Sequence, residues 1–189
     1  MDQQFGKRLT VCVFGAAIFV SAFLLFQVQP IIGKFVLPWF GGSPGVWTTC
    51  MLFFQVMLFA GYSYAHLLSR ALTVRQQIVV HCILLGMAVL SLPITPNPEW
   101  KPTGNQSPTG LILVLLTYKI GLPYFLLSAT GPLLQSWLGS SRACESPYRL
   151  YSLSNVGSLL ALLTFPFLVE PSLSSLQQSW IWSWAFAGF

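Results

Sequence analysis

The chain has 189 residues, of which 54% are hydrophobic and 7% are charged, with a net charge of +5 and a mean hydropathy of +0.70. Soluble domains carry about 25% charged residues, so these charges are too few to cover a water-soluble globule, and the apolar content excludes a disordered chain. The basic residues stand singly or in one pair, which predicts no nucleic-acid partner. The composition therefore predicts an all-α, polytopic transmembrane helical bundle in contact with the lipid bilayer.

The apolar stretches predict one transmembrane domain with five full spans and a partial sixth, since a spanning helix needs about 20 apolar residues. The predicted spans are 9–29, 46–68, 77–92, 111–138 (kinked), 150–169 and 179–189 (incomplete). The first run exceeds the apolar core of a signal peptide, about 7–15 residues, so we expect it to stay in the protein as an anchor. The last run covers only about 16 Å of helix, about half of a bilayer core, which predicts a truncated product or one piece of a longer protein.

Prolines and glycines interrupt this pattern at two places. Residues 30–45 contain three prolines and four glycines, which favours a short interfacial or re-entrant segment that ends in a Gly-Gly-Ser-Pro turn. The fourth stretch is too long for one straight span. We expect it to kink or break at Pro123 and at Gly131–Pro132.

Lysine and arginine positions predict the orientation, because cytoplasmic loops of membrane proteins are enriched in both. With the N-terminus in the cytoplasm, the inside set is Lys7, Arg8, Arg70, Arg75, Arg142 and Arg149, and the outside set is Lys34 and Lys101. Four tryptophans then fall near the outer boundary: Trp39, Trp47, Trp100 and Trp180. We expect a multi-pass protein of a plasma membrane with its N-terminus in the cytoplasm.

Neither the cysteines nor the histidines predict a metal site, and no cofactor is expected. Cys12, Cys50, Cys82 and Cys144 are far apart and form no CxxC motif, so we interpret them as buried packing residues. His66 and His81 have no carboxylate or third ligand near them in the sequence.

A short pattern occurs twice, about 102 residues apart. Phe23-Leu24-Leu25 and Pro30-Ile31-Ile32 recur as Phe125-Leu126-Leu127 and Pro132-Leu133-Leu134, and each copy leads to a Ser-Pro pair, at Ser43–Pro44 and Ser146–Pro147. Three spans separate the copies, so they have opposite topology, which predicts a 3+3 inverted repeat. The alternative is chance similarity, because phenylalanine, leucine and proline are common in this chain.

Two long segments of the chain resemble a known family. Residues 23–68, which begin FLLFQVQPIIGKFVLPWFGGSPG, are similar to the first membrane hairpin of bacterial fused major-facilitator/spermidine-synthase-like proteins. Residues 122–139 (LPYFLLSATGPLLQSWLG) and 146–171 (SPYRLYSLSNVGSLLALLTFPFLVEP) resemble their second hairpin. Together these segments cover about half of the chain.

The resemblance implies a membrane domain whose partner is a separate or fused aminopropyltransferase-like domain. In the family that domain carries a glycine-rich nucleotide-binding turn and catalytic aspartates. Neither is found in this chain: Gly41–Gly45 follows no predicted strand, and Pro44 removes a backbone N–H that phosphate binding would use. No catalytic residue is carried over, so we expect a non-enzymatic chain.

Polar residues within the spans are the candidate functional residues. Lys119 lies about nine residues into the fourth apolar run, where it either faces an anionic group inside the bundle or extends to the outer headgroups. Five uncharged residues either line a solute path or form hydrogen bonds between helices: Gln27, Gln29, Gln55, Ser154 and Asn155. The acidic residues Asp2, Glu99, Glu145 and Glu170 all fall at ends or in loops, which leaves no counter-charge for a polyamine cation.

Two functional hypotheses follow. The first is an anchor or scaffold for a spermidine-synthase-like catalytic domain. The alternative is a transporter-like half-bundle that moves a small solute, which would need a homo-oligomer to close a path. A membrane enzyme has no support, because the sequence contains no paired carboxylates, nucleophile triad or phosphate loop.

Overall fold

A computed structural model describes residues 2–104, 107–140 and 147–189. These ranges contain only helices and helical turns, with no β-strand, so the predicted all-α fold is confirmed. The helices are α1 Asp2–Phe40, α2 Pro44–Ala71, α3 Val74–Leu90, α4 Pro108–Leu116, α5 Leu122–Ser140, α6 Pro147–Thr164, α7 Glu170–Ser172 and α8 Ser175–Gly188. One π turn, Thr117–Gly121, joins α4 to α5, and a second, Phe165–Val169, joins α6 to α7. A 3₁₀ turn, Pro98–Trp100, lies in the loop after α3.

Within the described residues, four helical segments are long and apolar enough to cross a membrane, not the five full spans that were predicted. They are Leu9–Phe40, Pro44–Ala71, Pro108–Gly139 and Tyr148–Ser172. The third predicted span is α3, whose 17 residues extend only about 25 Å. Helix α8 begins at Ser175, four residues before the predicted start of the sixth run.

The predicted interfacial segment after residue 29 is wrong, because α1 continues through it to Phe40 with Pro30 and Pro38 inside the helix. In an apolar environment no water replaces a lost helical hydrogen bond, so continuing the helix costs less than unwinding it. The predicted turn is correct: Gly41 has φ +86°, and Ser43 caps α2 through its Oγ, 3.5 Å from the Val46 amide.

Among its described residues, the fourth stretch is interrupted at one of the two predicted places, beside Pro123, and not at Gly131–Pro132. The first π turn ends two residues before Pro123, and α5 then continues through Gly131 and Pro132. A proline ring clashes with the carbonyl four residues earlier, and a wide turn relieves that clash. The second π turn ends at the same distance before Pro171, which indicates the same cause.

Helices α1 and α6 run parallel and form the most extensive packing in the bundle. Two contacts follow one another along both helices: Gly157 lies against Phe19, and Gln27 bonds to Ala161. The order continues beyond α6, where Lys34 of α1 pairs with Glu170 of α7. A Cβ at Gly157 would lie 2.7 Å from the Phe19 carbonyl oxygen, so only glycine allows this approach.

Helices α2 and α5 form the second close pair, also parallel. The rings of Phe54 and Tyr124 lie 5.2 Å apart, and further along both helices Gly61 lies against Phe125 and Ser128. Each pair joins the first helix of one predicted repeat to the second helix of the other. An inverted repeat would relate these two pairs to each other, and the repeat itself stays a prediction.

The two ends of the bundle differ in composition. We call the end with Arg70, Arg75 and Arg149 the arginine end, and the opposite end, with Trp39 and Trp47, the tryptophan end. The sequence analysis made predictions for four residues that lie outside the described residues: Arg142, Cys144, Glu145 and Ser146 of the second Ser-Pro pair.

The core lies where α1 and α5 cross, with Val28, Ile32 and Leu126 fully buried. The expectation of buried cysteines is correct only for Cys50. Cys12 and Cys82 are exposed, because they lie on the outer, apolar faces of α1 and α3. In a membrane protein an apolar run has no polar face to mark which side meets the core, so the sequence does not separate the two environments.

Candidate functional site: a polar cavity between four helices

A cavity of about 380 Å³ lies between α1, α2, α5 and α6, and we call it the central cavity. The side chains of five polar residues line it without a hydrogen bond to any other described residue: Tyr62, Gln135, Tyr151, Ser154 and Asn155. Three serines also line it: Ser21, Ser128 and Ser158. Each serine hydroxyl donates to a carbonyl three or four residues earlier in its own helix. The five unbonded side chains are therefore the groups available to a bound molecule.

Helical spacing explains why α6 contributes most of this polar lining. Tyr151, Ser154, Asn155 and Ser158 follow one another at intervals of three, one and three residues, which places them on one face of a helix. Gly157 lies next to this face and brings α6 against α1. The polar face of α6 is thus held beside the helices that form the rest of the cavity.

The central cavity lies toward the arginine end. Tyr62 is nine residues from the end of α2 at Ala71, and Asn155 is eight residues from the start of α6 at Pro147. At 1.5 Å per residue, both positions are about 12–14 Å from that end of the bundle. The exposed side chains of Tyr62, Tyr151 and Asn155 show that the cavity opens at the surface between α2 and α6.

The residues that line the central cavity carry no formal charge. Hydroxyl, amide and phenol groups can both donate and accept hydrogen bonds, so the lining matches an uncharged polar molecule. A cation would have no opposite charge in this lining, and neither would an anion.

Of the residues selected from the sequence, Ser154 and Asn155 line the central cavity, whereas Gln27 and Gln29 connect helices. Gln27 is buried, and its Nε2 donates to the Ala161 carbonyl and to Thr164 Oγ1, both at 3.1 Å. Gln29 Nε2 donates to the Tyr124 hydroxyl at 3.1 Å. These four predicted residues therefore do not share one path.

The other two predicted residues lie elsewhere. Gln55 is exposed on α2. Lys119 lies in the first π turn, where it lines a separate cavity near the tryptophan end, with its Nζ 5.5 Å from the Tyr118 ring centroid.

Sequence reasoning missed Tyr62, Gln135 and Tyr151, and it did not pair Lys34 with Glu170. Lys34 was placed in the predicted interfacial segment, but it lies within α1, and its Nζ is 2.6 Å from Glu170 Oε2. The spacing of the polar residues between 151 and 158 could have predicted that they share one polar face of α6. Tyr62 and Gln135 had no such signal, because they lie outside that run, on α2 and α5.

The buried His81 contacts α5 and α2. Its Nε2 lies 3.0 Å from Thr130 Oγ1, and its ring stacks on Tyr64 with centroids 6.0 Å apart. Within the described part of the chain, no group of three or more histidine, cysteine or acidic residues is arranged to hold a metal ion.

Comparisons of the chain with protein families, with curated proteins and with solved structures found no match.

Proposed function

We propose that this chain is a transporter-like half-bundle that binds a small, uncharged polar solute in the central cavity. The observation that carries the proposal is the convergence of unbonded polar side chains from α2, α5 and α6 on one cavity between apolar helices. Polar groups inside a membrane are costly unless they meet water, a ligand or one another. A solute with hydroxyl or amide groups satisfies these side chains.

The position of the central cavity supports this function. In carriers built from inverted repeats, the substrate site lies inside the membrane where the repeats meet. Here α1 and α2 belong to the first predicted repeat, and α5 and α6 belong to the second. All four line the cavity, which supports a substrate site between the two predicted repeats.

Cysteine labelling tests the proposal in vesicles that expose the arginine end. In a background where the four native cysteines are alanine, Asn155→Cys should react with a charged, membrane-impermeant methanethiosulfonate reagent. Such a reagent needs a thiolate, which forms in contact with water. We expect Asn155→Cys to react about tenfold faster than Val156→Cys or more, equivalent to a barrier about 1.4 kcal/mol lower.

Val156→Cys is the matched control, because Val156 is the next residue of α6 and is 46% exposed but does not line the cavity. Equally slow reaction at both positions would mean that lipid, and not water or solute, occupies the cavity. That result would contradict the proposed function.

The resemblance of the two hairpins to spermidine-synthase-like fusion proteins favours a second function, an anchor for an aminopropyltransferase-like domain. This function does not require the central cavity. It predicts a reading frame for such a domain next to the gene of this chain. Sequencing the flanking DNA checks it, and the absence of such a frame beside genes that share these hairpins would count against the anchor.

A further inference from the structure

The second cavity, lined by Lys119, has a different chemistry from the central cavity. Its volume is about 490 Å³, and we call it the lysine cavity. It is lined by the π turn before α5, by the segment after α3 and by α8. Three of its lining residues carry amide, hydroxyl or indole donors that bond to no other described residue: Asn97, Tyr118 and Trp180. The Ser91 hydroxyl instead donates to the Ala88 carbonyl at 2.6 Å.

The short length of α3 creates this cavity. The helix ends at Leu90, after about 25 Å. Residues 91–97 then fold against α8 instead of continuing the helix toward the tryptophan end. Ile94 is fully buried, and its amide donates to Ser183 Oγ at 3.3 Å. Thr95 Oγ1 lies 2.6 Å from Ser179 Oγ. The wall of the cavity is therefore fixed by specific contacts.

Lys119 supplies a positive charge that no described residue neutralises. Among the described residues, the only ion pair joins Lys34 to Glu170, and the lining of the lysine cavity contains no acidic residue. Glu99, two residues beyond Asn97, is exposed and does not line the cavity. The side chain of Lys119 is only partly exposed and lines the lysine cavity, so its charge lies beside that confined space.

The surroundings place this charge at headgroup depth. Tyr118 stacks near Trp100, with ring centroids 5.8 Å apart, and Trp180 lines the cavity. Tyrosine and tryptophan are enriched where a membrane meets water. Leu90, Leu92 and Pro93 form an apolar wall beside the polar groups.

We propose that the lysine cavity binds a phosphate group, carried by an acidic phospholipid or by a soluble phosphate ester. A lysine ammonium binds phosphate as a point charge, and the Asn97 amide, the Tyr118 hydroxyl and the Trp180 indole can donate to the remaining oxygens. This site is independent of the central cavity and of the function proposed for it.

Native mass spectrometry of the detergent-solubilised protein tests this site. With equal amounts of phosphatidylglycerol and phosphatidylcholine, the wild-type chain should retain phosphatidylglycerol preferentially. Lys119→Gln should weaken that retention by about tenfold, the effect expected from losing one charge-assisted hydrogen bond. Lys119→Arg should keep most of it. Lys101→Gln is the matched control, because Lys101 lies near Trp39 in the same loop region but does not line the cavity.

Added inorganic phosphate and glycerol 3-phosphate distinguish the two sources of the phosphate group. Displacement of the lipid by either compound would assign the site to soluble phosphates, and persistence of the lipid would assign it to the headgroup. Equal retention of both lipids by the wild-type chain, together with no binding of either phosphate, would overturn the proposal. That comparison needs no variant, so it holds even if Lys119→Gln folds poorly.

Discussion

Replacing Gly61 with alanine is expected to destabilise the bundle by about 2 kcal/mol, within the usual range for overpacking. A Cβ at this position would overlap Ser128 Oγ and would lie 2.8 Å from the Phe125 carbonyl oxygen. The serine side chain can rotate away, but the backbone carbonyl of α5 cannot. The two helices must therefore separate, and the melting temperature of the detergent-solubilised protein should fall.

Two further variants isolate the cause of this loss. Gly86→Ala is the matched control, because a Cβ at Gly86 meets nothing within 4 Å and alanine favours a helix. It should leave the melting temperature unchanged or raise it. The double variant Gly61→Ala/Ser128→Ala removes the clash with the hydroxyl but not the clash with the carbonyl, so it should recover only part of the loss. Equal effects of Gly61→Ala and Gly86→Ala would show that α2 and α5 are not in close contact.

The helical bundle could be predicted from the sequence because apolar runs, turn residues and topology agree. Ser43 and Pro44 give a clear start for α2, and Gly41 gives a clear end for α1. The repeated pattern around Pro30 and Pro132 predicted only an inverted repeat, which stays a prediction. The turn residues lie in short segments of the sequence, and the repeat depends only on the order of the predicted spans.

The continuity of α1 through Pro30 could not be predicted from the same signals. Proline and glycine preferences describe chains in water, where solvent satisfies an opened backbone. Between apolar helices that compensation is absent, and the helix continues. Proline positions alone also do not distinguish Pro123, which follows a π turn, from Pro132, which lies within α5.

The candidate site was only partly predictable for a related reason. Ser154 and Asn155 could be selected because polar residues within a span need an explanation. Whether such a residue faces a cavity or a neighbouring helix depends on which helices pair. Gln27 has the same chemistry as Gln135, yet Gln27 bonds to α6 and Gln135 lines the central cavity. That distinction comes from tertiary packing alone.

Truncating Trp182 to alanine is expected to loosen α8 from the bundle, with a loss of about 3 kcal/mol in the free energy of unfolding. Trp182 is 3% exposed, stacks on Phe186, and donates from its indole Nε1 to the Leu24 carbonyl of α1 at 2.8 Å. Truncating a buried aromatic residue costs about 3–5 kcal/mol in soluble proteins. We expect the low end, because lipid is as apolar as the core and only packing and the hydrogen bond are lost.

Trp184 provides the control within the same helix, since it is 71% exposed. Trp184→Ala should change the unfolding midpoint in a detergent titration only slightly, whereas Trp182→Ala should lower it clearly. Trp182→Phe keeps an aromatic ring but removes the N–H donor, so its loss should be about 1 kcal/mol. If Trp182→Ala and Trp184→Ala behaved alike, the indole of Trp182 would not hold α8 against α1, and the buried contact between these helices would be wrong.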